Sequence, residues 1–237
     1  MSDGSLFPQH PVIGDHMFGR ATKTTLPTAE DALKGRETGH SGIAARHVVL
    51  DAPVITDDVP EGMEVAIFGL GCFWGAEEIY WQLPGVWSTS VGYAGGITPN
   101  PSYDEVCSGR TGHTEAIRLV FDPTVVSFDD LVKRFFEIHD PTQGMRQGND
   151  VGTQYRSAIY FTTPEQEQTA RDLTKVYGDE LARRQLGTIT TEIRPAAPLD
   201  GGAPYYYAED QHQQYLAKNP MGYRCHANTG VRFPATA

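Results

Sequence analysis

Apolar residues in the middle of the chain follow the two periods of regular secondary structure. Residues 64–68 are a short run with β-branched and aromatic residues, which predicts a buried strand. Glycines at 69 and 71 end this strand. From residue 72 to 83 the apolar positions recur every three or four residues, as in a helix, and Pro84-Gly85 terminates it. Residues 86–93 predict a second strand.

The next stretch alternates between apolar and polar residues. Within 114–121, Ile117, Leu119 and Phe121 share one face of a predicted strand, and Arg118 points to the other. Ser127 is positioned to cap a helix that runs to residue 139. The glycine- and aspartate-rich residues 140–154 indicate a loop, and 155–161 predict another strand.

The last third predicts further helices and strands. Thr163 precedes Pro164, which suits the first position of a long amphipathic helix. Residues 189–193 predict a strand and 208–216 a helix. Because strands and helices mix without a regular βαβ repeat, the pattern predicts an α+β fold, in which helices pack against a small mixed sheet.

The two ends of the chain lack this strong periodicity. Residues 1–60 are rich in proline, threonine, glycine and aspartate, with one short helical segment at 28–33. We interpret them as an extension that wraps the core, and 61–237 as the single domain that contains this core. From about residue 219 the chain contains Pro220, Gly222 and Gly230, which predicts a mobile tail.

Composition narrows the class of protein. The chain is 39% hydrophobic and 21% charged, with a net charge of -11 and no basic cluster, which argues against nucleic-acid binding. No apolar run reaches the roughly 18 residues that span a membrane, and no signal-peptide pattern stands at the start. We therefore expect a cytoplasmic protein without a membrane partner.

The three cysteines are an odd number without C-x-x-C spacing, so neither a disulfide scaffold nor a zinc ribbon is predicted. Cys72 stands where the first strand ends and the helix begins, a position where unpaired N–H groups favour negative charge. We expect this position to lower the thiol pKa and produce a nucleophilic thiolate. Glu77 and Glu78 would oppose that effect if they faced Cys72.

Two other interpretations of the Cys72 segment stay open at this point. Gly69, Gly71 and Gly75 resemble a dinucleotide-binding loop, but Trp74 occupies the position of the third glycine. Cys72 could also be an inert, buried thiol in a packed turn.

Glu115 is the second informative residue, because it lies on the apolar face of its strand with Ile117. Burial would raise the carboxyl pKa and keep a proton available near neutral pH. The alternative is a strand-end glutamate that faces solvent or pairs with Arg110 or Arg118.

Several long motifs, in order over residues 60–226, resemble the A-type peptide methionine sulfoxide reductases. They are Gly71-Cys72-Phe73-Trp74-Gly75, Gly92-Tyr-Ala-Gly-Gly96, Tyr103-x-x-Val-Cys-Ser-Gly109, Gly112-His113-Thr-Glu115-Ala116, His139-Asp-Pro141, Gln147-Gly-Asn-Asp150-x-Gly-Thr-Gln-Tyr155-Arg156-Ser157 and Tyr206-Tyr-Ala-Glu-x-x-His212-Gln213. The resemblance implies reduction of methionine S-sulfoxide, in proteins and as the free amino acid, for repair of oxidative damage. It also implies a two-layer, ferredoxin-like form of the α+β fold.

The resemblance implies a role for each matching residue. Cys72 attacks the sulfoxide sulfur and Glu115 protonates its oxygen, leaving methionine and a sulfenic acid. The remaining residues that match the family's site are Tyr103 and Tyr155 at the oxygen, Phe73 and Trp74 at the methyl group, and Asp150 and His212 in the site wall.

The resemblance further implies a second thiol and a protein partner. Cys225 matches the resolving cysteine, whose disulfide with Cys72 would be reduced by thioredoxin. The stretch around Arg232, where many bacterial members carry another cysteine, has none here. Cys107 falls in a helix-like segment and is expected to pack. No cofactor or metal is predicted.

Two other function classes compete with this assignment. A Cys-His amidase would need a histidine within hydrogen-bond reach of Cys72. His139, His212 and His226 are far apart in sequence and lack the spacing of a metal site. A redox sensor would form the Cys72–Cys225 disulfide without turning over sulfoxide.

Overall fold

The computed structural model describes residues 23–197, 199–225 and 227–235, and it contains one large and one small sheet. The large sheet has six strands: β1 (Glu64–Leu70), β2 (Val86–Ala94), β3 (Thr114–Phe121), β6 (Ser157–Phe161), β7 (Glu192–Pro195) and β8 (Tyr205–Tyr207). The small sheet pairs β4 (Arg146–Gln147) with β5 (Asp150–Val151). The α+β prediction is confirmed.

Five α-helices accompany the sheets in the described part of the chain: α1 (Phe73–Trp81), α2 (Tyr103–Cys107), α3 (Phe128–Ile138), α4 (Pro164–Arg183) and α5 (Tyr215–Lys218). Two predicted caps are present, because the hydroxyls of Ser127 and Thr163 accept backbone N–H bonds from Asp130 and Gln166. No helix among the described residues is long and apolar enough to cross a membrane.

The six strands are ordered β7-β6-β1-β3-β2-β8. All neighbours are antiparallel except β6 and β7, which are parallel. The finer, ferredoxin-like description is not confirmed, because β7 and β8 extend the four central strands at both edges.

The main core lies between one sheet face and the helices. Ile117, Leu119 and Phe121 are fully buried on that face, as their alternation predicts, and Phe68 of β1 packs on Phe135 of α3. Arg118 points to the opposite face, where its guanidinium donates to Thr56 of the N-terminal segment. Strand β3 therefore has the core on one side and, on the other, the sheet face that residues 23–60 cover in part.

Several predicted elements differ from the structure at their ends or in type. Residues 28–33 form a single turn, closed by the Ala32 N–H to the Thr28 carbonyl at 3.0 Å. The predicted strand 155–161 begins at Ser157, after a 3-10 turn at Thr153–Tyr155. The predicted strand 189–193 shifts to β7.

The predicted helix at 208–216 is wrong over most of its length, because α5 begins only at Tyr215. The Gln213 side chain accepts from the Val91 N–H and donates to the Val91 and Ala208 carbonyls. The Glu209 carboxylate binds the N–H of Tyr103 and the hydroxyl of Tyr93. With these tertiary contacts, residues 209–213 form turns closed by the His212 N–H to Glu209 and the Gln213 N–H to Asp210, instead of the predicted helix.

The predicted C-terminal tail is packed over part of its length. Val231 is buried, and the ring of Phe233 stacks on Tyr177 of α4 with centroids 5.5 Å apart. The Phe233 N–H also donates to Glu137 of α3 at 2.8 Å. This packing ties residues 229–233 to the helix layer, while the division into extension and catalytic domain stays a prediction.

We expect Phe233→Ala to lower the free energy of unfolding by about 2 kcal/mol, because it removes a half-buried ring from the α3–α4 surface. Urea denaturation followed by circular dichroism measures this change. Met221→Ala is the matched control on the same tail, because its side chain is 98% exposed and its loss should leave the transition unchanged. Equal stability of the two variants would contradict the packing.

Candidate active site

Cys72 occupies the turn between β1 and α1, as the sequence predicts. It is the N-cap residue of α1 and its side chain is only 8% exposed. The preceding Gly71 has φ +93°, and a Cβ there would lie 2.7 Å from Cγ of Gln147. Only glycine fits this position, because both the backbone angle and the close contact exclude a side chain.

Glu115 lies next to this turn and is 1% exposed. Its Oε2 accepts the backbone N–H of Phe73 at 3.0 Å, which joins β3 to the first residue of α1. Burial raises the pKa of Glu115 to about 8, the Phe73 N–H lowers it, and the Asp150 carboxylate raises it. The expectation of a protonated, buried carboxyl is therefore met, and neither Arg110 nor Arg118 pairs with it: Arg110 donates to Asp31 and Arg118 to Thr56.

The expected low pKa of Cys72 is wrong for this state of the protein. Burial and the Glu115 carboxylate raise the pKa of the thiol well above its usual range. The backbone N–H groups of Trp74 and Gly75 act in the opposite direction, as a helix N-terminus should, but burial outweighs them. Cys72 and Glu115 thus both hold a proton near neutral pH.

Two phenols and a carboxylate complete the polar part of the site. Burial, and then the charge of Glu115, raise the pKa of Tyr103 and of Tyr155 above the usual value, so both hydroxyls remain donors. Burial also raises the pKa of Asp150, whose Oδ2 accepts the Tyr223 hydroxyl at 3.2 Å. Electrostatic coupling among these groups indicates that loops far apart in sequence converge on Glu115.

Aromatic rings form one wall beside Cys72. Trp74 stacks on Tyr215, with centroids 4.0 Å apart, and on His212 at 5.8 Å. His212 in turn lies 4.4 Å from the ring of Tyr103, and Phe73 lies 5.6 Å from His212. The sequence pointed to four of these rings, but it missed Tyr215, which only the turn before α5 brings to Trp74.

All three cysteines are free thiols. Cys225 is half-buried, with its Sγ 3.6 Å from the Gln147 carbonyl oxygen and its backbone nitrogen 4.0 Å from where a Cβ on Gly75 would lie. Cys107 ends α2, and burial and Glu115 raise its pKa to about 11. Cys225 therefore lies against the N-terminal turn of α1, while Cys107 belongs to the opposite, Tyr103-bearing helix.

The two glutamates of α1 that could oppose a thiolate are both turned to other partners. Glu77 is fully buried and accepts the Thr89 hydroxyl at 2.9 Å and the Gln214 backbone N–H at 2.8 Å. Glu78 forms an ion pair with Arg224, with Nε–Oε2 at 2.6 Å. The helical spacing of Glu77 with Phe73 and Tyr80 is a signal for its burial that the sequence interpretation left unused.

We expect Glu115→Gln to speed alkylation of Cys72 by iodoacetamide roughly tenfold at pH 9, because loss of the carboxylate charge lowers the pKa of the thiol. Above pH 8 the wild-type carboxylate is ionised and opposes the thiolate, whereas glutamine is neutral at every pH. Below pH 7 the difference should shrink, because Glu115 is then protonated. Peptide mass mapping measures the rate at Cys72. Glu64→Gln, at the far end of β1, is the control, and equal rates in wild type and Glu115→Gln at pH 9 would refute the coupling.

Comparison with known proteins agrees with this geometry. A family profile described as peptide methionine sulfoxide reductase matches residues 64–235. The peptide methionine sulfoxide reductase MsrA of Salinispora tropica is 56% identical over 220 residues, covering 92% of this chain and 96% of that relative. The enzyme of Azorhizobium caulinodans is 54% identical over 218 residues, covering 92% and 96%.

Solved structures give the same result. Methionine sulfoxide reductase A of Corynebacterium diphtheriae superposes with a TM-score of 0.78 at 51% identity, covering 89% of this chain and all of that one. Reduced Mxr1 from Saccharomyces cerevisiae gives 0.63 at 33% identity, covering 70% and 91%. The chain therefore belongs to the peptide methionine sulfoxide reductases of the MsrA type, which are oxidoreductases that reduce methionine sulfoxide.

Proposed function

We propose that Cys72 is the nucleophile and Glu115 the acid of this reductase. The Cys72 sulfur attacks the sulfoxide sulfur while Glu115 passes its proton to the sulfoxide oxygen, and the thiol proton replaces the one that Glu115 gives. The new S–S bond and the S–O bond of the substrate then break as the hydroxyl group passes to the Cys72 sulfur, which becomes a sulfenic acid, and the substrate leaves as a thioether. Cysteine sulfur is oxidised, methionine sulfur is reduced, and no net proton is consumed.

One observation carries this proposal: the buried carboxyl of Glu115 accepts the Phe73 N–H at 3.0 Å, one residue from Cys72. A sulfoxide oxygen leaves poorly unless it is protonated, so an acid must keep its proton near neutral pH. Burial of Glu115 provides that proton, with a pKa of about 8. A proton relay between thiol and carboxyl then avoids two negative charges in one buried site.

The surrounding side chains suit the two ends of the sulfoxide group. The hydroxyls of Tyr103 and Tyr155 can donate to the oxygen, next to Glu115, with Asp150 nearby. Phe73 and Trp74, with His212 stacked against them, offer an apolar surface for the methyl group. A fixed oxygen site and a fixed methyl site select one sulfoxide epimer, which we propose to be S, in peptides and in the free amino acid.

A second thiol completes the cycle in our proposal. The Cys225 sulfur attacks the sulfenic sulfur of Cys72, the S–S bond forms, and the S–O bond breaks to release water. A dithiol reductant, which we propose to be thioredoxin, then reduces the disulfide. The cycle uses two cysteines and no cofactor, operates in the cytoplasm, and repairs oxidised proteins. Cys107 takes no part.

The amidase alternative finds no support among the described residues, which do not include His226. Among the described residues no hydrogen bond joins Cys72 to a histidine, and burial lowers the pKa of His212 while its Nε2 faces Gln211. A nucleophilic Cys-His pair requires that contact.

We expect Glu115→Gln to keep the KM for a methionine sulfoxide peptide within about threefold while kcat falls roughly a hundredfold, the usual contribution of a general acid. Methionine released from a racemic peptide, with dithiothreitol as reductant, is followed by mass spectrometry. Wild type should stop after about half of the racemic substrate, and Cys72→Ser should release none. Near-normal turnover by Glu115→Gln would remove Glu115 from the mechanism.

We expect Cys225→Ser to release one methionine per chain and then stop when thioredoxin is the only reductant, because the sulfenic acid has no resolving thiol. Cys107→Ser is the matched control and should turn over as wild type does. Repeated turnover of Cys225→Ser with thioredoxin at the wild-type rate would show that another route reduces Cys72.

A further inference from the structure

The residue before Cys225 is tied to the helix that Cys72 begins. Arg224 forms two parallel bonds with Glu78 of α1, Nε to Oε2 at 2.6 Å and Nη2 to Oε1 at 2.7 Å. Their side chains are 29% and 22% exposed. A planar guanidinium that binds a carboxylate through both nitrogens fixes orientation as well as distance.

The same guanidinium organises its own chain segment. Nη1 of Arg224 donates to the carbonyl oxygens of Pro220 at 2.9 Å and Gly222 at 3.2 Å. Residues 220–224 thus curl around the Arg224 head group, which in turn rests on α1. A weaker second tie is the Tyr223 hydroxyl on Asp150 at 3.2 Å.

This arrangement determines where the Cys225 thiol lies. The Cys225 nitrogen sits beside Gly75, and its Sγ lies 3.6 Å from the Gln147 carbonyl. The Gln147 side chain itself packs against Gly71, on the other side of Cys72 in sequence. Cys225 is therefore held against the turn that carries Cys72, without a bond between the two sulfurs.

We propose that the Glu78–Arg224 ion pair is a positioning contact that holds Cys225 ready to attack the Cys72 sulfenic acid, and so sets the rate of disulfide formation. The proposal rests on the resolving role of Cys225 proposed above. An intramolecular attack is fast when the nucleophile is kept near its target, because the entropy of bringing the sulfurs together is lost in advance. The neighbouring side chains of Met221 and Tyr223 are 98% and 47% exposed, so these two residues add little burial to the segment.

The pair acts on the second chemical step and leaves the first unchanged. Glu78 and Arg224 contact neither Glu115 nor the aromatic wall in the described hydrogen bonds and ion pairs. Sulfoxide attack by Cys72 should therefore proceed normally without the pair, whereas the sulfenic acid should persist. A contact that only stabilised the fold would affect both steps or neither.

The test follows both steps in a single turnover, with Arg224→Gln, Glu78→Gln and the double variant in the full-length protein. Reduced protein is mixed with excess methionine sulfoxide peptide and no reductant, and quenched samples are analysed for methionine and for the Cys72–Cys225 disulfide. Dimedone in a parallel sample traps the sulfenic acid. Arg171→Gln, which breaks a comparable pair with Glu167 on α4, is the control.

We expect unchanged methionine release and roughly tenfold slower disulfide formation in both single variants, with more dimedone adduct on Cys72. The double variant should be no slower than either single one, because both remove the same contact. Arg224→Lys keeps the charge but cannot bind the carboxylate through two nitrogens. Its rate of disulfide formation should therefore lie between those of wild type and Arg224→Gln.

Three results would overturn the inference in distinguishable ways. Disulfide formation at the wild-type rate in both single variants would reject the positioning role and leave the proposed function intact. Slower methionine release in those variants would place the pair in the first step instead. Full turnover of Cys225→Ser with thioredoxin would reject the resolving role itself, and the positioning contact with it.

Discussion

The hydrogen bond from the Phe73 N–H to the Glu115 carboxyl joins the two parts of the chain on which the site depends. It links the first residue of α1 to the middle of the sheet, and so fixes the Cys72 turn relative to β3. The carboxyl is buried between apolar neighbours and keeps its proton to about pH 8. An acid and a thiol with raised pKa values therefore stand at the same turn.

A second buried carboxyl supports the wall opposite this pair. Glu77 accepts the Thr89 hydroxyl and two N–H groups of Gln214, and burial raises its pKa to about 7. Thr89 in turn contacts Nε2 of buried His47 at 2.8 Å, while Nδ1 of His47 accepts backbone N–H groups. This network connects the N-terminal segment, through α1, to the turn that presents His212 and Tyr215 to Trp74.

The contacts that hold the segment around Cys225 differ in kind from those of the core. The partly exposed Glu78–Arg224 ion pair and single hydrogen bonds hold it, whereas the core that surrounds Glu115 is held by apolar burial. Partly exposed contacts open more readily than core packing. The proposed resolving role requires the Cys225 thiol to leave its contact with the Gln147 carbonyl, while the Glu78–Arg224 pair keeps the segment against α1.

The sequence by itself determined the elements that local patterns encode, and the residue types at the centre of the site. Alternation in 114–121 correctly predicted that Glu115 shares the buried face of Ile117, and the capping residues Ser127 and Thr163 correctly predicted helix starts. Glycines around Cys72 indicated a strand-to-helix turn, and ordered motifs indicated the family. These features depend on neighbours within a few positions, which a linear sequence displays.

Only the tertiary structure decided the features that depend on distant contacts. The helix predicted at 208–216 gave way to hydrogen bonds that Gln213 and Glu209 accept from Val91 and Tyr103. The pKa of Cys72 rises instead of falling, because burial and Glu115 outweigh two helical N–H groups. Tyr215 meets Trp74, and Glu78 meets Arg224, across separations that no periodicity records. Desolvation and long-range pairing arise only after the chain has folded, so the charges and neighbours of the site could not be determined from the sequence.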